Sequence, residues 1–304
     1  MKEYSTKNIR NVALVSHSSA GKTILTEAFL HFTGATTRMG QINEGNTVTD
    51  FDEEEVRRSI SLYASVVPIE YKETKFNFLD TPGYTDFIGE MISAVAVADS
   101  AIVMIDAVSG FEVGTEIAWN YCDKFNLPRV LLINKMDRDN ADYQKALNSV
   151  QEFSDKRLVA VQLPWGEKAA FKGVIDLLTM KAYPGNGKNA EEIPAEFKSA
   201  VESARMELVE AAAEGNDALL EKYLEGGELS PEEIMNGLAA VVASGNFVPV
   251  FVAAAHAEIG IGPLLDALKN LLPAPDARPK VIAKGKAGEE ELKADDSGQI
   301  GRAH

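Results

Sequence analysis

Asn11-Val12-Ala13-Leu14-Val15-Ser16-His17-Ser18-Ser19-Ala20-Gly21-Lys22-Thr23-Ile24-Leu25 decides the fold. Its apolar run, 12–15, is continuous, as in a strand buried on both faces. From Lys22 the spacing becomes helical, with Ile24, Leu25, Ala28 and Phe29 on one side. Strand, glycine-bearing loop and helix in that order make a phosphate cradle. Successive N–H groups point inward at an anion, and the helix adds its positive end. Gly21 lets the backbone come close, Lys22 reaches the β and γ phosphates, and Thr23 offers its hydroxyl to Mg2+. Ser18, Ser19, Ala20 and Ile24 complete the expected nucleotide-binding loop. Ser16 stands where the strict pattern has glycine, so a chance Gly-Lys-Thr loop is the alternative that the motifs further along must answer.

Three more short apolar runs each end on a polar residue: 76–79 at Asp80, 101–105 at Asp106 and 130–133 at Asn134. A last strand, 248–253, leads into Ala254-Ala255-His256, and a helix over 262–272 stops before Pro273. Ligands of open α/β sheets sit beyond the carboxyl ends of such strands, so these endpoints converge. Asp80-Thr81-Pro82-Gly83 reads as a sensor: Asp80 faces the metal or its water, and the Gly83 N–H meets the γ-phosphate. Residues 40–62 form the other moving segment, where Ser61 gives the metal a second hydroxyl. In Asn134-Lys135-Met136-Asp137, Asn134 bonds the purine edge and Lys135 lays its stem along the base. Asp137 accepts from the N1–H and amine of guanine, donors that adenine lacks. Ala254 and Ala255 line the base through backbone N–H groups. The cofactors implied are GTP/GDP and Mg2+. His17 reads as a structural residue of the loop, since no carboxylate lies near it in sequence.

The βα rhythm breaks between 162 and 246, where 195–223 and 230–243 look helical. Ser230-Pro231-Glu232-Glu233 has the form of a helix N-cap. The expected organisation is a core over 1–161, an inserted α+β subdomain and partner surface over 162–246, and a return to the core over 247–275. A linker or the start of a β-barrel domain follows over 276–304. The fold class is α/β: a P-loop GTPase fold whose mostly parallel sheet is flanked by helices. The chain has 304 residues and a net charge of −16, which argues against a general binder of free DNA or RNA. Cys122 is the only cysteine, read as half-buried in a helix, so no intrachain disulfide can form. No apolar run is long enough to span a bilayer and no signal peptide opens the chain. A cytoplasmic monomer without membrane contact is the expectation.

The stretches His17-Ser18-Ser19-Ala20-Gly21-Lys22-Thr23-Ile24-Leu25-Thr26-Glu27, Asp80-Thr81-Pro82-Gly83-Tyr84-Thr85-Asp86-Phe87 and Asn134-Lys135-Met136-Asp137 resemble the GTP-binding domain of bacterial translation elongation factor G and its paralogues. The resemblance covers about residues 6–275 and includes Gly173-Val174-Ile175-Asp176-Leu177-Leu178 and Met180-Lys181-Ala182-Tyr183, similar to that factor's extra subdomain. It implies an N-terminal fragment of a protein that continues into a β-barrel and acts with the ribosome. Ser19 stands in place of the family's aspartate, Arg58-Ser59-Ile60-Ser61 in place of Arg-Gly-Ile-Thr, and Ala254 in place of serine. Tyr84 replaces the histidine that positions the attacking water. The catalytic set implied is Lys22, Gly83 and Tyr84. A phenol is a poor general base at neutral pH but still hydrogen-bonds a water. Two readings therefore stand: a ribosome-associated GTPase, slow without an activator, or a GTP-dependent ribosome-binding regulator with weak hydrolysis. A nucleotide kinase is a third, which has no need of Asn134 and Asp137.

Overall fold

The computed structural model describes residues 2–277, 281–285 and 288–292. The glycine-bearing loop lies where the sequence placed it, between strand β1 (Ile9–Val15) and helix α1 (Lys22–Phe32). Strand β2 (Ser65–Tyr71) pairs antiparallel with β3 (Thr74–Asp80), and β3 runs parallel to β1. Helix α2 (Glu53–Arg58) precedes β2, and α3 (Ile88–Val97) follows β3. Beyond β1 lie β4 (Ser100–Asp106) and, across α4 (Val113–Lys124), β5 (Arg129–Asn134). Helix α5 (Tyr143–Gln151) leads to β6 (Arg157–Ala160). Next comes a three-stranded antiparallel sheet: β7 (Gln162–Trp165), β8 (Gly173–Asp176) and β9 (Lys181–Pro184). Helices α6 (Lys198–Ala213), α7 (Asp217–Leu224) and α8 (Pro231–Ser244) follow, then β10 (Phe247–Val252) and α9 (Ile261–Leu271). Among the described residues the main sheet has seven strands, ordered β2-β3-β1-β4-β5-β10-β6. All its pairs are parallel except β2 with β3, so the expected α/β class holds.

The central strands β4 and β5 are buried along their whole length because helices cover both faces. On one face Leu25 and Phe29 of α1, Leu208 of α6, Leu238 of α8 and Leu264 of α9 share a core with Phe78 and Phe251. On the other, Val95 of α3, Trp119 of α4 and Val150 of α5 meet Val103 and Ile133. Residues of the 162–246 stretch thus pack into the same apolar clusters as the main sheet. Pro68 sits in the edge strand β2, where a missing N–H is harmless. Pro249 sits in β10 before its pairing with β5 begins at Val250.

Several expectations need correction. The helical run over 195–223 is two helices, α6 and α7. They part at Gly215, where a Cβ would lie 2.4 Å from the Gly237 carbonyl oxygen, and Asn216 caps α7 by accepting from the Leu219 N–H at 2.9 Å. Cys122 is fully buried, not half-buried, because α4 turns it onto the sheet. The edge strands β2 and β6 were not anticipated. The expected linker or barrel start over 276–304 lies largely outside the described residues. Its described part includes β11 (Val281–Gly285) and β12 (Gly288–Leu292), which pair antiparallel.

Candidate nucleotide and magnesium site

The carboxyl ends of β1, β3 and β5 open onto a cleft of about 510 Å³, in the range of small-molecule sites. Ser18, Ser19, Gly21, Lys22, Thr23 and Ile24 form one wall. Gly21, at φ +102°, takes a left-handed turn into α1, and a Cβ there would stand 2.6 Å from Asn134 Nδ2. Lys22 is buried. Its Nζ donates to the Ser16 hydroxyl at 2.9 Å and to the His17 carbonyl at 3.2 Å. Burial pushes the ammonium down to about 8, opposed by the nearby Asp80 carboxylate. Gly83 lies directly on the loop: a Cβ there would meet Lys22 Nζ at 2.5 Å and Ser18 Cα at 2.7 Å.

His17 points away from the cleft. Its Nδ1 accepts from the Gly114 N–H at 3.2 Å, its own N–H donates to the Thr115 hydroxyl at 3.2 Å, and Nε2 stands 3.6 Å from Glu112. The residue that caps the start of α4, Glu112, therefore supplies the carboxylate that the local sequence lacks.

The three residues expected at the metal come together. Thr23 Oγ1 donates to Asp80 Oδ2 at 2.8 Å and stands 3.2 Å from Ser61 Oγ. Two residues not singled out as ligands join them. Thr49 Oγ1 donates to Asp80 Oδ2 at 2.9 Å, and Asp50 Oδ1 accepts from the Ser61 hydroxyl at 2.7 Å. Burial pushes the Asp80 carboxyl up to about 6, against the opposing pull of Lys22. Asp80 Oδ1 is buried and has no hydrogen-bond partner among the described residues. A carboxylate with one oxygen orphaned and the other accepting from two hydroxyls fits a hard cation that takes oxygen ligands.

Asn134, Lys135 and Asp137 all line the cleft. Asp137 is half-buried and lines the cleft with Lys135 and Arg138. Lys135, at φ +63°, donates to the Ser19 carbonyl and, at 2.7 Å, to Asp106 Oδ2. Asn134 is 1% exposed and also bonded within the chain: one Nδ2 hydrogen is donated to the Ala20 carbonyl at 2.9 Å, and Oδ1 accepts from the Ala255 N–H at 3.0 Å. The Ala254 N–H donates to the Ile259 carbonyl at 3.1 Å. Both alanine amides expected at the base are therefore occupied within the chain, and the cleft residue of that loop is the exposed His256. Tyr84 is 42% exposed and lines the same cleft beside Gly83. Gln41, Ile42 and Asn43, within the segment expected to move, also line the cleft.

A family model described as the elongation factor Tu GTP-binding domain matches residues 7–274. Elongation factor G of Fervidobacterium nodosum is 37% identical over 287 residues, spanning 93% of this chain and 42% of that protein. Elongation factor G of Thermotoga petrophila is 39% identical over 278 residues, spanning 90% and 40%. A crystal structure of a Thermus thermophilus protein aligns with a TM-score of 0.84 at 32% identity, over 94% of this chain and 48% of that one. The chain thus spans about two fifths of the length of the curated relatives it matches. With the match running from before the glycine-bearing loop to the end of α9, the chain belongs to the elongation factor Tu GTP-binding domain family and is homologous to bacterial elongation factor G.

Proposed function

We propose that this chain is the GTP-binding and GTP-hydrolysing module of a translational GTPase of the elongation factor G type. It works in the cytoplasm as part of a longer monomeric protein that binds the ribosome, without binding free DNA or membrane. Ser18 to Ile24 cradle the phosphates, with Lys22 on the β and γ oxygens. Thr23, Ser61 and Asp80 hold Mg2+, which when bound neutralises phosphate charge. Gly83 reports the γ-phosphate through its N–H. Asp137 selects guanine, while Asn134, Lys135 and the 254–255 loop shape the base pocket. The inserted stretch, 162–246, serves as the partner surface, and 276–304 leads toward a barrel domain.

One observation carries this reading: Asp80, one oxygen buried and unpartnered and the other accepting from Thr23, lies against a hydroxyl that, with Ser61, lines the same cleft as Asp137. Calorimetric titration of the chain with GDP, GTP and ADP in magnesium buffer tests it. Guanine nucleotides should bind at least about 10²-fold more tightly than ADP, and Asp137→Ala should remove that preference. Equal heats for adenine and guanine nucleotides would overturn the assignment.

Tyr84 favours the second reading, a GTP-dependent regulator with weak hydrolysis, because a phenol at the cleft edge is a poor base. Single-turnover hydrolysis with ribosomes decides between the two. The native chain should be slow, and Tyr84→His should accelerate it by about 10²-fold. Equal and fast rates would reject the regulator.

A further inference from the structure

Glu27 lies in the middle of α1, 1% exposed, with its carboxylate turned toward the segment that follows the helix. A charge so buried needs hydrogen bonds to offset lost hydration. Both of its oxygens find backbone donors from one loop. Oε2 accepts from the Gly40 N–H at 2.8 Å and Oε1 from the Val48 N–H at 2.5 Å. Glu27 thus pins the two ends of loop 40–48. Gly40 has no room for a side chain: a Cβ there would stand 2.6 Å from Glu27 Oε2, 2.8 Å from the Asn46 carbonyl oxygen and 2.9 Å from Thr47 Cα.

Within the loop, the Gln41 N–H donates to Asn46 Oδ1 at 2.7 Å and a single 3-10 turn covers Ile42–Glu44. The inner rim of this small structure, Gln41 to Asn43, lines the nucleotide cleft. The residues just past the second grip are Thr49, bonded to Asp80, and Asp50, bonded to Ser61. The hydroxyls and carboxylates around the proposed metal position therefore follow directly from where Glu27 holds the chain.

Resting on the GTP reading above, we propose that Glu27 is a positioning residue of the site. By clamping both ends of loop 40–48 it sets Thr49, Asp50 and Ser61 around the metal and the γ-phosphate. The chemistry is specific to a two-armed acceptor. Glutamine keeps the shape but turns an NH2 toward one backbone N–H, donor against donor. On that GTP reading the clamp bears on the metal and γ-phosphate, whereas Asp137 selects the purine. Its loss should separate the two nucleotides.

The experiment uses the 304-residue chain with Glu27→Gln and, as a second variant made from the loop side, Gly40→Ala. Affinities for GDP and for a non-hydrolysable GTP analogue are measured with magnesium, and trypsin cleavage at the exposed Arg38, Arg57 and Arg58 is followed without nucleotide. Each variant should lose about tenfold in GTP-analogue affinity, hold GDP within about twofold, and be cut faster at these arginines. Equal loss of both nucleotides with a lowered melting temperature would make Glu27 a stability group only and overturn the proposal. Unchanged affinities and cleavage would do the same. If Glu27→Gln does not fold, Gly40→Ala decides alone. Should the native chain bind neither guanine nucleotide, the functional reading fails while the cleavage comparison still judges the clamp.

Discussion

Asn134 shows how a side chain named from sequence can carry structural bonds that the sequence does not reveal. Its type and place at the end of β5 followed from the motif, which assigns it to the purine edge and says nothing of its bonds within the chain. In the fold its amide staples the phosphate loop to the loop after β10. Sequence spacing identifies which groups reach the end of a strand but does not say which way each turns. That depends on loops contributed from more than a hundred positions away, here Ala20 and Ala255. Asn134→Ala would strand a buried carbonyl and a buried N–H at about 1–3 kcal/mol each. Urea unfolding should show a loss of about 3 kcal/mol, and nucleotide affinity should fall with it, since both walls of the cleft loosen. An Asn134→Ala chain of native stability would reduce the staple to a decoration. Thr23, Ser61 and Asp80 were legible as a set because hydroxyl and carboxylate chemistry is written in residue type. Thr49 was not, since nothing local marks one hydroxyl in a polar loop as the one that meets Asp80.

Helix signals read from sequence held best where a cap marked them. Ser230-Pro231-Glu232-Glu233 starts α8 with a full capping box, the Ser230 side chain accepting from the Glu233 N–H and the Glu233 side chain from the Ser230 N–H. The Lys222 ammonium, with Ser230, holds the Glu233 carboxyl down to about 2. Ser230→Ala should cost about 1 kcal/mol by thermal or urea unfolding. A change within error would mean that packing of Ile234 and Leu238, rather than the cap, fixes the start of the helix. Strands buried on both faces were equally legible from their apolar runs. The edges were not. In β2 the buried Val67 and Ile69 alternate with exposed Val66 and Pro68, and β6 has only four residues, too few to show a period. The parting of α6 from α7 was hidden because both sides favour helix, and the reason for the break, Gly237 of α8 against Gly215, lies in another element.

The mostly parallel sheet and the meeting of strand ends in one cleft followed from the motif series, whereas the order of the strands did not. The sharing of one core between the main sheet and the 162–246 stretch did not, because burial across distant segments leaves no local trace. Cys122 offers a probe of that core. Burial pushes its thiol up to about 11, from an ordinary value of 9.0. Between those two values the folded chain holds a proton that the unfolded chain has released, so stability falls as pH rises through this window. Native protein at pH 8 should resist thiol reagents until it unfolds. Between pH 8 and 10.5 it should lose about 2 kcal/mol that a Cys122→Ala chain does not lose. Parallel pH curves for the two chains would refute this. Gly83 sets a stricter limit. Any carbon at its Cβ would push the phosphate loop and the switch turn apart, so a saturation library at position 83, selected for nucleotide retention, should return only the native codon's residue.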